Sequence, residues 1–216
     1  MTSARLIASL AALVLPTSAA TLISQTSVVS SAVADNDDIG LVDIQTISAD
    51  PAATVTDISV ELGFSGGWNG DLYVYLSHDT GFSVLLNRAG RTAANPDGAA
   101  SSGMNITLSD GAATDVHTGL PSSGVDVTGT FQPDGRETDP LSVVDTDPRT
   151  ALLNSFIGLQ ASGDWTLFVA DQAAGATSTL ESWTLNLTVQ SPIPEPRGLF
   201  LLGLGLAGLF LRRSRA

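Results

Sequence analysis

Few side chains in this sequence are of kinds that do chemistry, and their spacing excludes most of it. His78 and His117 are the only imidazoles; both fall in segments read as loops, where a histidine without partners is expected at the surface. Asp79-Thr80-Gly81 places an acid beside a small hydroxyl residue. An aspartic dyad needs a second such carboxylate, and no second D-[ST]-G occurs. A Ser–His–Asp relay needs a nucleophile and a base in their own contexts, and neither G-T-S nor H-G-T is present. Asp79 to Gly81 is therefore read as a hairpin turn. G-x-S-x-G, H-E-x-x-H, a phosphate loop and EF-hand spacing are all missing. The absence of Cys excludes thiolate metal sites and Cys nucleophiles. The chain is read as non-catalytic and needing no cofactor. One group remains: Asp134, Glu137, Asp139, Asp145 and Asp147 share a single long segment. Oxygen-rich loops hold Ca²⁺, but this spacing matches no defined cage, and a solvated acidic loop is the alternative.

Charge narrows the partners. All nine basic residues are Arg, and five of them lie in the terminal segments. Residues 21–192 keep four Arg against twenty-one acids, a formal charge of −17. Such a polyanion repels nucleic-acid phosphates and anionic headgroups, so no nucleic-acid partner is expected.

The elements that must position these residues are strands. Ile58, Val60, Leu62 and Phe64 alternate with polar or small residues, as do Trp183, Leu185, Leu187 and Val189. Leu72, Val74 and Leu76 alternate with Tyr73 and Tyr75, which makes that strand apolar on both faces. Trp165, Leu167 and Val169 mark a further strand; Val42–Ile47, Ser83–Leu86, Asn105–Leu108 and Val125–Phe131 are shorter ones. About eight strands separated by turn signals predict an all-β sandwich over 41–190. Three long connectors, 88–103, 109–124 and 133–150, carry all four internal Arg. Residues 21–40 read as a flexible lead-in.

The two ends read as addresses. Arg5, the apolar run 6–15 and the small residues 17–20 form a secretory signal peptide over 1–20. Cleavage is expected after Ala20, with Ala32-Val33-Ala34 as a second site. At the other end, Pro194-Glu195-Pro196 breaks the last strand. Residues 198–211 (GLFLLGLGLAGLFL) carry no polar side chain, and Arg212, Arg213 and Arg215 follow. As a helix this run covers roughly 21 Å, short of the ~30 Å hydrocarbon core, so it spans only with bilayer thinning and snorkelling Arg. The Arg cluster keeps its end cytoplasmic and leaves the preceding domain outside.

Two resemblances follow from these residues. The order Pro194-Glu195-Pro196, apolar helix, Arg212-Arg213-Ser214-Arg215 resembles the PEP-CTERM sorting signal of Gram-negative bacteria. It implies an exosortase as partner, transient anchoring in the inner membrane by a 193–216 tail, and delivery to the cell surface or an exopolysaccharide matrix. Phe64 to Ser77 (FSGGWNGDLYVYLS), with Trp68, Gly70 and Asp71, resembles the first signature of the proprotein convertase P domain (Homo B domain). Gly163-Asp164-Trp165 through Asp171, then Gly175 and Leu180 through Trp183, resemble its closing signature. The resemblance implies a jelly-roll sandwich, with Asp171 as a turn cap or Ca²⁺ ligand, although the family's further acid after the last glycine is Ala176 here. It also implies an association with subtilisin-like serine proteases, which leaves a secreted protease or an extracellular polysaccharide as candidate partners.

Overall fold

Alternating apolar and polar side chains fold residues 20–191, those the computed structural model describes, almost entirely into strands and turns. They are β1 (Ala20–Ala32), β2 (Asp37–Ile47), β3 (Thr54–Gly66), β4 (Leu72–His78), β5 (Gly81–Asn87), β6 (Ser102–Leu108), β7 (Val125–Phe131), β8 (Gly163–Asp171) and β9 (Ser178–Gln190). One sheet has the order β1-β9-β3-β6-β7 and the other β2-β8-β4-β5. Because successive side chains point to opposite faces, Val60 and Leu62 of β3 and Leu185 and Leu187 of β9 line one inner face. Leu72, Val74 and Leu76 of β4 and Trp165, Leu167 and Val169 of β8 line the other, and all belong to one buried cluster. Each such side chain contributes about 1.5–3 kcal/mol by leaving water.

The segment expected to be a flexible lead-in is instead strand β1. It pairs antiparallel with β9 from Ala20↔Gln190 to Ala32↔Thr179, with a register shift between Val28 and Ser31. The ladder satisfies the backbone groups on one edge of β1, and the next residue, Val33, is fully buried with its N–H donating to the Ser178 carbonyl at 2.8 Å. The sandwich therefore has nine strands among the described residues, not eight. β6 and β7 run parallel, from Ser102↔Val125 to Leu108↔Phe131. That pair departs from the antiparallel jelly roll expected.

His78, Asp79, Thr80 and Gly81 form the two-residue hairpin between β4 and β5, with His78↔Gly81 as the closing pair and Asp79 at φ +49. The D-T-G tripeptide is a turn, as read. Among the described residues no helix is long and apolar enough to cross a membrane. The expected span 198–211, the rest of the 192–216 tail and signal residues 1–19 lie outside the described residues.

Candidate functional site

The Gly-bearing connector after β3 tightens into one 3-10 turn at Asn69–Asp71, all three residues buried. Backbone donors of Asn69 and Gly70 reach the carbonyls of Ser101 and Ala99 at 2.8 and 2.9 Å. A Cβ on Gly70 would lie 2.4 Å from the Ala99 nitrogen, so glycine lets two backbones meet here. Gly70→Ala is accordingly expected to cost about 1–3 kcal/mol by overpacking, read as a lower melting temperature.

The Asp71 carboxylate makes no backbone N–H bond. It is 2% exposed, with one oxygen 3.6 Å from Arg88 Nη2 and the other without a hydrogen-bond partner. Arg88 is itself buried, and its Nε–H donates to the Gly70 carbonyl at 2.7 Å. Asp171 stands opposite Leu72 in the β4–β8 ladder. It caps the turn after β8 by accepting from the Ala173 N–H at 3.2 Å, and its second oxygen is also buried and unpartnered. Burial, with the negative charge of Asp171, pushes the Asp71 carboxyl up to about 6 against the opposing pull of Arg88. Burial likewise raises Asp171.

The tryptophans divide by role. Trp165 is fully buried, donates to the Ala161 carbonyl at 3.0 Å and stacks on His78 at 4.0 Å between ring centres. Trp183 donates to Asp43 at 2.7 Å. Trp68 is 44% exposed and lies over Gly175, where a Cβ would come within 2.8 Å of its ring. Gly163 holds φ +122 at the start of β8.

Both histidines are buried rather than on the surface. The ring nitrogens of His78 face the carbonyls of Asp164 and Gln160 at 2.9 and 2.7 Å. His117 sits on the short helix α1 (Val116–Gly119), with Nδ1 2.7 Å from Asp134 and Nε2 2.8 Å from the Arg91 carbonyl. Burial alone would lower its pKa, but the Asp134 hydrogen bond and charge, with the Arg91 carbonyl, outweigh this and raise it. With both nitrogens engaged, the ring has no free lone pair for a reactant.

The acidic loop does not gather into a cage. Asp134 is fully buried between His117, the Asn87 N–H and Arg136, whose other nitrogen reaches Asp115 at 2.9 Å. Glu137 accepts from the Thr150 hydroxyl, Asp139 from the Leu141 N–H and Asp147 from the Val144 N–H, while the Asp145 carbonyl accepts from Arg136. Among the described residues no group of three or more His, Asp or Glu is placed to hold a metal ion. Arg88 and Arg136 are buried, whereas the partly exposed Arg91 donates to the Pro96 and Pro140 carbonyls and Arg149 to the Pro133 and Asp134 carbonyls.

What the loop does supply is a rim. Glu137, Asp139, Pro140 and Leu141, with Asp38, border a groove floored by Tyr73, Tyr75 and Phe168 on the outer face of the four-stranded sheet. Tyr75 and Phe168 stack at 4.7 Å and 15°, with Phe82 leaning on Tyr75 at 5.2 Å and Tyr73 on Phe168 at 6.3 Å. Val42 and Ile44 of β2 continue the apolar floor, each 54% exposed.

Comparison with known families places these parts. Residues 133–187 match the model of the proprotein convertase P-domain, and residues 192–215 match that of the PEP-CTERM protein-sorting motif. The two families named from the sequence are the two that match. The P-domain match holds the acidic loop, Gly163, Trp165, Asp171 and Trp183; the Trp68–Asp71 turn precedes it. No curated protein matches the chain. Among solved structures, the serine protease of Aeromonas sobria aligns at 19% identity and a TM-score of 0.44, covering 81% of this chain and 27% of that one. The same protease in complex with the chaperone ORF2 aligns at 18% identity, a TM-score of 0.44 and the same coverage. The chain thus spans about a quarter of the length of either solved chain.

Proposed function

We propose that this protein is an exported, non-catalytic P-domain module, whose PEP-CTERM tail is processed by an exosortase and sorts it to the cell surface or an exopolysaccharide matrix. One observation carries the reading: the folded body closes at Ser191, one residue past β9, and the sorting motif begins at residue 192. Pro194, Glu195 and Pro196 then serve as the recognition element, residues 198–211 as the transient inner-membrane anchor, and Arg212, Arg213 and Arg215 as its cytoplasmic stop.

Cleavage after Ala20 keeps almost all of β1 and buried Val33 in the mature protein, whereas cleavage after Ala34 would remove both. Mass spectrometry of protein from its native host is expected to find Thr21 as the first residue and no residues beyond the Pro194–Pro196 region. Replacing Arg212, Arg213 and Arg215 together by Gln is expected to abolish surface delivery, read by fractionation. An unchanged destination would overturn the sorting role. Should a secreted serine protease co-purify stoichiometrically, the module becomes that protease's accessory domain.

A further inference from the structure

The outer face of the β2-β8-β4-β5 sheet has the features of a docking surface. Four strands contribute to one apolar strip: Val42 stands opposite Phe168, Phe168 opposite Tyr75, and Phe82 on β5 leans against Tyr75. Val42 and Ile44 are more than half exposed, and Leu141 on the rim is 64% exposed. A contiguous apolar patch with a polar border is how interaction sites differ from ordinary surface.

The border decides the occupant. The charged residues lining the groove are Asp38, Glu137 and Asp139, with no cation among them. We propose that this face docks a basic segment of another protein, one that alternates Arg or Lys with aliphatic residues. The aliphatic side chains take the strip between Val42 and Phe82, and the cations meet Glu137 and Asp139. Field complementarity of this kind governs partner choice and association rate.

The other occupants fit less well. A second copy brings a sandwich with the same formal −17, whose four Arg are already bonded to backbone carbonyls of their own chain. An anionic polysaccharide meets the same repulsion. A neutral glycan needs a flat aromatic platform, but Tyr75 and Phe168 each spend a face on the other, with Tyr73 and Phe82 leaning in from either side.

The test uses the full chain in zwitterionic-lipid nanodiscs, which cover its apolar tail. The probes are peptides about ten residues long, comparable to a longer strand: alternating Arg–Val, alternating Glu–Val and alternating Arg–Ser. Binding is expected for Arg–Val alone, weakening about tenfold or more when salt rises from about 0.05 to 0.5 M. The double variant Glu137→Gln, Asp139→Asn is expected to lose a similar factor, and the exposed-site variant Val42→Ser to lose binding with an unchanged melting temperature. Equal binding of Glu–Val, indifference to these substitutions, or Arg–Ser binding as tightly as Arg–Val would overturn the proposal. So would a neutral oligosaccharide competing for the face, or a dimer that Val42→Ser abolishes.

Discussion

Trp165→Ala is expected to cost about 3–5 kcal/mol, the usual price of emptying a large aromatic site in a core that relaxes only partly. For a body of this size that corresponds to a melting temperature lower by roughly 10–15 °C. Trp165 is fully buried, packs on Phe156 at 5.0 Å and on His78 at 4.0 Å, and closes its indole N–H on the Ala161 carbonyl. The substitution therefore removes packing for two further rings and strands a buried carbonyl, which adds to the loss. Trp68→Ala is the contrast, since that ring is 44% exposed and should cost far less. Thermal melts of the two variants beside the parent decide the matter; equal melting temperatures would mean that Trp165 does not hold the two sheets together.

Stability is expected to fall as pH rises from about 4 towards 8. A carboxyl whose pKa is higher when folded binds its proton more tightly in the folded state. Folding is therefore favoured where that proton is on, and the advantage is lost as pH climbs from the ordinary 3.8 to the folded value of about 6 at Asp71. The loss from Asp71 alone is at most about 3 kcal/mol. Asp171, also raised by burial, acts in the same direction. His117 adds a second limb: its folded pKa lies above the ordinary 6.5, so the stability it contributes is complete below that value and lost as pH passes the folded one. Self-repulsion among the surface acids steepens the trend. Denaturant melts at fixed salt between pH 4 and 8 test this. Asp71→Asn should flatten the slope between pH 4 and 6 whatever it does to stability at any single pH, because the titrating group is gone. A parent whose stability is level or rising across that interval would contradict the buried-carboxyl account.

Much of the sandwich was legible because the core-facing residues of its inner strands recur with a period of two. Residues 58–64 and 183–189 alternate cleanly, 72–76 and 165–169 keep large aliphatic or Trp residues at every second position, and each lies within an observed strand. β1 escaped for a physical reason: it is an edge strand whose apolar residues do not keep to one face, with Leu22 and Val28 exposed at 68% and 78%. Its Ser and Thr side chains imitate a linker, and the register shift after Val28 breaks the period. The buried ion pairs were hidden differently. His117 and Asp134 stand in separate connectors, and nothing in the local pattern of either says that folding brings them within 2.7 Å. The aromatic floor lies between these cases. Tyr73 and Tyr75 declared a strand with two apolar faces, but their contact with Phe168 depends on β4–β8 register, which sequence alone leaves open.

β9 also has a mechanical meaning. Its last paired residue, Gln190, lies just before the tail, and the strand is laddered on one side to β1 and on the other to β3. A pull on Ser191 would load both ladders in shear, so many hydrogen bonds would share the force instead of parting one after another. An interior strand of the five-stranded sheet, not an edge strand, thus carries any load applied at the C-terminal end of the folded body.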